Sequence, residues 1–268
     1  MKSYTFNDLD NMLKFFEVSE ETALLLHSSL FNLGILKNIE IKNIPKELLN
    51  FFLSRLNNFN QPTFNYSFPK NRYIDLTLAN SEVGLLSNEM LQRGFYRTIH
   101  PIFSFVGNNE KMIKPNFIDK NPFGKKSFFD RLTDKNGVII VLGAKPSVAT
   151  YIIYAEFMSN VNYRYLKPFL GKVKTKSKIY NNSFYHFVFP LSEEYNHNYC
   201  EFHKYLLNKG VSKEFEIGAS KAYGFKVKEF LKEVKEFLKN NPFGLLNKKP
   251  KYYYIFNKKE IKIEKASK

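Results

Sequence analysis

The sequence has no tryptophan and a single cysteine, Cys200. One thiol can neither close an internal disulfide nor build a cysteine metal cluster. No apolar run reaches the roughly eighteen residues of a membrane span. No stretch rich in Gly, Ser or Pro reads as a linker between domains. The first residues, MKSYTFNDLDNML, carry acidic side chains and lack a long apolar core, which argues against a secretory signal. With the lone thiol, this gives a cytoplasmic expectation. Zinc spacings, basic heptads and the aromatic–basic ribonucleoprotein signature are missing, so a nucleic-acid partner is not expected. HExxH, GxSxG, the P-loop and GxGxxG are missing as well, and no metal is expected.

What is present is globular in character. Hydrophobic residues make up 44% of the chain and aromatic ones 17%, enough for a substantial core rather than disorder. A length of 268 residues suits one continuous domain, with a smaller C-terminal subdomain beginning near residue 160. Lysine and arginine number 41 against 25 acidic residues, a net charge of +16. Such a field attracts phosphate-bearing ligands and repels polycations. The densest basic tracts, 170–178 and the tail 247–268, read as solvated surface.

Elements follow from periodicity and punctuation. Residues 5–16 read as a helix capped by Thr5 or Asn7. ETALLLHSSL is a buried strand running into a turn, with a helix starting at Ser28 or Ser29 and ending near Gly34. Helices are expected over 44–56, with Pro45 in the first turn, over 81–93, and after a Ser127 cap. Residues 60–80 read as loop. VIIVLGA, 138–144, has the β-branched run of an interior strand, followed by a helix over 150–160. Strands and turns are expected over 163–191 and a helix over 193–210. FKVKEFLKEVKEFLKNN, 225–241, is a strongly amphipathic helix stopped by Pro242. Strands interleaved with helices give an α/β class with a mixed, largely parallel central sheet.

Two stretches combine groups that bind ligands. His27, Ser28 and Ser29 stand where a buried strand meets a turn, a place where hydroxyls and free N–H groups hold phosphate oxygens or simply cap a helix. RTIHPIFSFVG, 97–107, gathers Arg97, Thr98, His100 and Ser104 around Pro101 on a stiff loop.

The order of these pieces is more specific than any one of them. His27-Ser28-Ser29-Leu30 with Gly34 comes first, then Arg97 to Ser104, then Asn121 to Ser127, then Leu142-Gly143. Thr150 to Glu156 follow, then Tyr163-Arg164, and late in the chain IGASKAY (217–223) and NPFGLL (241–246). This series, over about residues 5–246, resembles the aminoglycoside 3-N-acetyltransferase family. The resemblance implies acetyl-CoA or another acyl-CoA as donor and a sugar amine as acceptor. His27, Ser28, Ser29, Arg97, Thr98 and Ser104 would then lie by the coenzyme, in a cleft between the Ser28 turn and the Arg97 loop. Tyr66, Thr150 and Tyr154 would touch substrate, although tyrosines in such places are commonly core. IGASKAY would belong to the family's closing helix.

In that family a histidine three residues before the glutamate is the expected base, with Asn or Asp four residues earlier. Counting back from Glu156, these positions hold Ile153 and Ala149. Isoleucine cannot accept a proton from the attacking amine. The substitutes within the motifs are Glu156, whose basicity burial would raise, and His100. The chain is therefore expected to be an N-acyltransferase of an amino sugar, with its net charge favouring a nucleotide-linked acceptor used in glycan synthesis. The alternatives are a true aminoglycoside acetyltransferase and an impaired homologue that binds CoA or a sugar nucleotide. A homodimer is left open.

Overall fold

The computed structural model describes residues 2–191, 196–250, 252–257 and 260–265. Its centre is a seven-stranded sheet in the order β11-β12-β8-β2-β4-β7-β6. These strands are β2 (Leu24–Ser28), β4 (Phe59–Pro62), β6 (Tyr96–Arg97), β7 (Phe105–Gly107), β8 (Val138–Leu142), β11 (Lys213–Ile217) and β12 (Ser220–Lys226). The pairs β8–β2 and β2–β4 are parallel; the four outer pairs are antiparallel. The expected parallel pairing thus holds for the middle of the sheet only.

Side chains alternate across a strand, so each central strand feeds two layers. Leu24, Leu26, Ile140 and Leu142 face one core with α1 (Phe6–Phe15), α2 (Ile44–Leu53) and α4 (Leu85–Gln92). Leu25, Ile139 and Val141 face the other with α6 (Phe128–Asp134), α7 (Tyr151–Met158), α8 (Tyr199–Asn208) and α9 (Val227–Asn240). Fully burying each such aliphatic side chain contributes about 1.5–3 kcal/mol. The two layers flank the sheet and hold it rigid beneath the loops at its strand ends.

Local chemistry sets the helix starts. Thr5 and Asp8 form a reciprocal capping box for α1, and Ser127 Oγ accepts from Asp130 N to cap α6. In α9 the predicted stripe is buried: Val227, Phe230, Leu231, Val234 and Leu238. Two expectations fail. After Ser29 the chain makes only a single 3₁₀ turn, Leu30–Asn32, before β3 (Ile35–Leu36) pairs with β1 (Ser3–Tyr4). IGASKAY is not helical: Gly218, at φ 58, turns β11 back into β12, and Phe225 and Lys226 pair with β8 before α9 begins.

A second sheet joins β5 (Tyr73–Asp75) to the long hairpin of β9 (Tyr165–Lys174) and β10 (Ile179–Val188). It packs through Phe184, Phe187 and Val173 on the α7 side of the core. Residues 60–80 are less loop-like than expected, holding β4, the short α3 (Phe68–Asn71) and β5. A further short helix, α5 (Glu110–Ile113), follows β7. After residue 160 the chain builds this second sheet and then returns to the first through β12. The tail contributes a hairpin of β13 (Tyr252–Asn257) and β14 (Glu260–Lys265); residues 251, 258–259 and 266–268, like 193–195 of the expected helix, lie outside those described. No helix among the described residues is long and apolar enough to cross a membrane.

Candidate functional site

The C-terminal ends of β8, β2 and β4 open at one edge of the sheet. Ligands of α/β sheets bind outside such ends, where successive crossovers leave in opposite directions. Here Ser28 pairs with Leu142. The turns beyond them touch: Ser29 N donates to Leu142 O at 2.9 Å, and Asn32 Nδ2 donates to Ser29 Oγ at 3.0 Å and to Gly143 O at 2.8 Å. A Cβ on Gly143 would lie 2.5 Å from Ser29 O, and its φ of +72° lies in the left-handed region, so glycine is required.

Donors without protein partners collect beside this edge. Ser28 Oγ has none, nor does Gln61 Nε2 at the end of β4. Gln61 is 1% exposed, and its Oε1 accepts from Ser87 Oγ at 3.4 Å. Ser87 lies in the first turn of α4, whose N-cap Gly84 supplies no side-chain bond. A Cβ on Gly84 would meet Ser87 Oγ at 3.3 Å and Ser28 O at 3.9 Å, so the four residues form one cluster. Free helix N–H groups, a hydroxyl and an amide together suit an oxygen-rich ligand. Gln61, Gly84 and Ser87 were not found from sequence; they lie on three separate elements and share no motif. On the opposite face of β2, His27 is buried with Nε2 unpartnered, and burial pulls it down to about 4.

The Arg97 loop is internally satisfied. Arg97 donates to Ser104 Oγ at 3.1 Å and to the carbonyls of Leu76 (3.1 Å), Ala79 (2.7 Å) and Thr63 (3.2 Å). Burial lowers its pKa to about 10. Ser104 Oγ also shares a 2.8 Å bond with Thr63 Oγ1, and Thr98 Oγ1 accepts from Phe105 N at 2.9 Å. His100 Nδ1 accepts from the N–H of Ile102 (3.1 Å) and Phe103 (2.8 Å), which places its proton on Nε2. Burial, then His186, push His100 down to about 3. The polar atoms of Arg97 and Ser104 thus clamp the loop to Thr63, Leu76 and Ala79, while Thr98 braces it from within. His100 is itself fully buried, and its Nδ1 is occupied by those two backbone N–H groups.

The Thr150–Glu156 and Tyr163-Arg164 motifs meet in space. Glu156, on α7, has no exposed surface, and its Oε2 lies 2.8 Å from Arg164 Nε, a charge contact without an aligned N–H. Tyr163 donates to Oε1 at 2.9 Å and Tyr199, from α8, donates to Oε2 at 2.8 Å. Arg164 in turn donates to Tyr199 Oη at 2.7 Å and Phe187 O at 2.9 Å, and lies 3.6 Å above the Phe189 ring. Burial, then the Glu156 charge, raise both tyrosines well above their ordinary range. This geometry makes Glu156 an ion-pair anchor and counts against its use as the base, since both oxygens are engaged.

The remaining candidates separate. Tyr154 lies in the core: it is 1% exposed and its hydroxyl donates to Asp130 Oδ1 at 3.1 Å. Thr150 stands half-buried at the start of α7 and donates to Val148 O at 3.3 Å. Tyr66 is 52% exposed beyond β4. Ile153 is half-buried against the core, and Ala149 borders a small apolar cleft with Pro146, Ile152, Tyr199 and His203. Two other clefts lie by Lys213 and Lys226 and by residues 110–117; none of the three is lined by Ser28 or Arg97. Among the described residues, no three His, Cys, Asp or Glu side chains are grouped to hold a metal.

Comparison with known proteins agrees with the motif order. The family model described as aminoglycoside 3-N-acetyltransferase matches residues 54–239. A structure titled AAC-IIIb binary with CoASH superposes with a TM-score of 0.73 at 15% identity, covering 92% of this chain and 100% of that one. A mutant of AAC(3)-IVa in complex with a gentamicin gives 0.69 at 18% identity, covering 91% of each chain. YokD from Bacillus subtilis gives 0.71 at 15% identity, covering 90% and 96%. Curated proteins gave no match. At these identities the structural likenesses establish the fold.

Proposed function

The chain belongs to the aminoglycoside 3-N-acetyltransferase family, and from that premise we propose that it transfers an acetyl group from acetyl-CoA to an amine of an aminoglycoside-type amino sugar. The observation that carries the coenzyme half is the set of unpartnered donors at Ser28, Gln61 and the uncapped start of α4, beside the C-terminal ends of the parallel strands. The acceptor half is supported by the relatives, whose structures hold a gentamicin and apramycin. Thr150 and Tyr66, at the same edge, are the remaining substrate contacts.

A second acceptor class is favoured by charge. The net +16 repels a polycation and attracts an amino sugar carried on a nucleotide diphosphate, as used in glycan synthesis. The two readings share one donor and differ only in the acceptor. A third follows from Ala149 and Ile153: without the usual imidazole, the protein holds the coenzyme without turnover.

Calorimetry with CoA tests the site, and thiol release from acetyl-CoA tests turnover with apramycin and with a nucleotide-linked amino sugar. Turnover of apramycin above the nucleotide sugar supports the first reading, and the reverse order the second. CoA binding with neither acceptor consumed selects the third. A chain that does not bind CoA overturns all three.

A further inference from the structure

The proposed transfer needs a proton acceptor, and α7 carries none at position 153. Four of the five histidines are unsuited. His27 and His203 are buried, and His100 holds two backbone N–H groups. His186 is wedged between Phe103 and Phe123, with ring centroids 4.7 and 6.4 Å away. His197 differs from all of them. It is exposed, and its ring lies flat on Tyr199, with centroids 4.3 Å apart and planes 7° from parallel. Tyr199 is the residue that donates to Glu156 Oε2.

The backbone around His197 is pinned. Asn247 N donates to Asn196 O at 2.8 Å, Asn198 N donates to Leu245 O at 2.7 Å, and His197 itself bridges to Leu246. The imidazole therefore has a fixed place: across one tyrosine ring from the same carboxylate that shares a helix face with Ile153. Tyr199 also borders the cleft at Ala149 and Ile152, so this ring connects the start of α7 to its buried anion.

Resting on the acyltransferase reading, we propose that His197 is the general base of this protein, supplying from the segment before α8 the imidazole that α7 lacks. His197 accepts the proton lost by the attacking amine as the nitrogen–carbon bond forms at the thioester carbonyl. When the carbon–sulfur bond breaks, the same proton passes to the departing sulfur, so amine and thioester give amide and thiol. Among the described residues, the charged and titratable groups acting on the ring are Arg164, Glu156 and Tyr199. Desolvation and then Arg164 hold the imidazole below its ordinary range, with Glu156 opposing.

The test is steady-state thiol release from acetyl-CoA by the full chain, with the better acceptor of the pair above. His197→Gln is expected to lower kcat by about 10²–10³-fold with both KM values within about threefold. It should also remove the acid-side limb of the pH profile. His197→Phe keeps the stack on Tyr199 and should be equally slow. Ile153→His added to His197→Gln should restore at least about tenfold, since it returns an imidazole to the face of Glu156. Unchanged CoA affinity in each variant shows that the fold is intact. Either variant retaining the wild-type kcat and acid limb overturns the proposal. So does a wild-type chain that binds CoA and turns over neither acceptor, whereas a chain that does not bind CoA overturns the function itself.

Discussion

Two buried arginines, each near an acidic side chain, end in opposite arrangements. Arg164 meets Glu156 directly, and Tyr163 and Tyr199 complete the carboxylate's bonds. Arg131, on α6, gives its donors to the carbonyls of Met112 (2.7 Å), Ile113 (3.2 Å) and Lys126 instead. Asp119, nearby, is 5% exposed, accepts one long bond of 3.4 Å from Phe128 N, and forms no salt bridge among the described contacts. Burial, only partly opposed by Arg131, pushes Asp119 up to about 7. A guanidinium satisfied by carbonyls does little to hold its neighbour's negative charge. Among the described residues, Glu156 on α7 is thus a buried carboxyl paired directly with a guanidinium, and Asp119, under the turn that precedes α6, is a buried carboxyl without such a pairing.

The largest effect should come from separating the paired charges. Glu156→Gln leaves Arg164 buried without an anion and is expected to cost about 3–5 kcal/mol, read as a lower urea midpoint. Replacing both partners with apolar residues, Glu156→Leu with Arg164→Met, should recover most of that loss, because the desolvated cation disappears as well. A single variant that costs less than about 1 kcal/mol would show that water reaches this pair and that the contrast with Arg131 is false.

Arg97 resembles Arg131 rather than Arg164, since its donors go to carbonyls and to Ser104. Arg97→Met should cost about 2–3 kcal/mol, the penalty for stranding the carbonyls of Thr63, Leu76 and Ala79. CoA affinity, measured by calorimetry on the folded variant, should change by less than about threefold, which is about 0.7 kcal/mol. A tenfold loss of CoA affinity with an unchanged urea midpoint would return Arg97 to the coenzyme, as the sequence order suggested.

That case shows where the sequence stops being informative. Elements whose stability is local were readable: β8 from its β-branched run, α9 from its apolar stripe, and α1 and α6 from Thr5 and Ser127. IGASKAY misled because nothing local in it reports the pairing of Ala222 with Leu142, eighty positions away. The same limit applies to the site. The position of Ile153 is evident from the spacing to Glu156, but the donor cluster joins Ser28, Gln61 and Ser87, which only the sheet and α4 bring together. His197 gives no signal either, because its significance lies in a ring stacked beneath it and a carboxylate beyond that ring. Arg97 has the residue type and the neighbours of a phosphate ligand; only its bonds reveal a clamp.

The smallest effect tests the comparison most directly. Asp119 has its folded pKa near 7, against 3.8 for the free side chain. Below about pH 4 both states carry the proton, and the group contributes its full stabilisation. As pH rises towards 7 the unfolded chain releases its proton while the native state retains it, so stability falls; above 7 both have lost it and the decline stops. Asp119→Asn, always neutral, should match the wild type near pH 4 and exceed it by about 1–2 kcal/mol at pH 8, under the limit of about 1.4 per pKa unit because local relaxation and water entry soften the desolvation of the charged form. Urea midpoints of the two proteins at half-unit pH steps check the slope. If the difference instead favours the wild type increasingly as pH rises, Asp119 is held ionised by Arg131, and the two arginines solve the same problem in the same way.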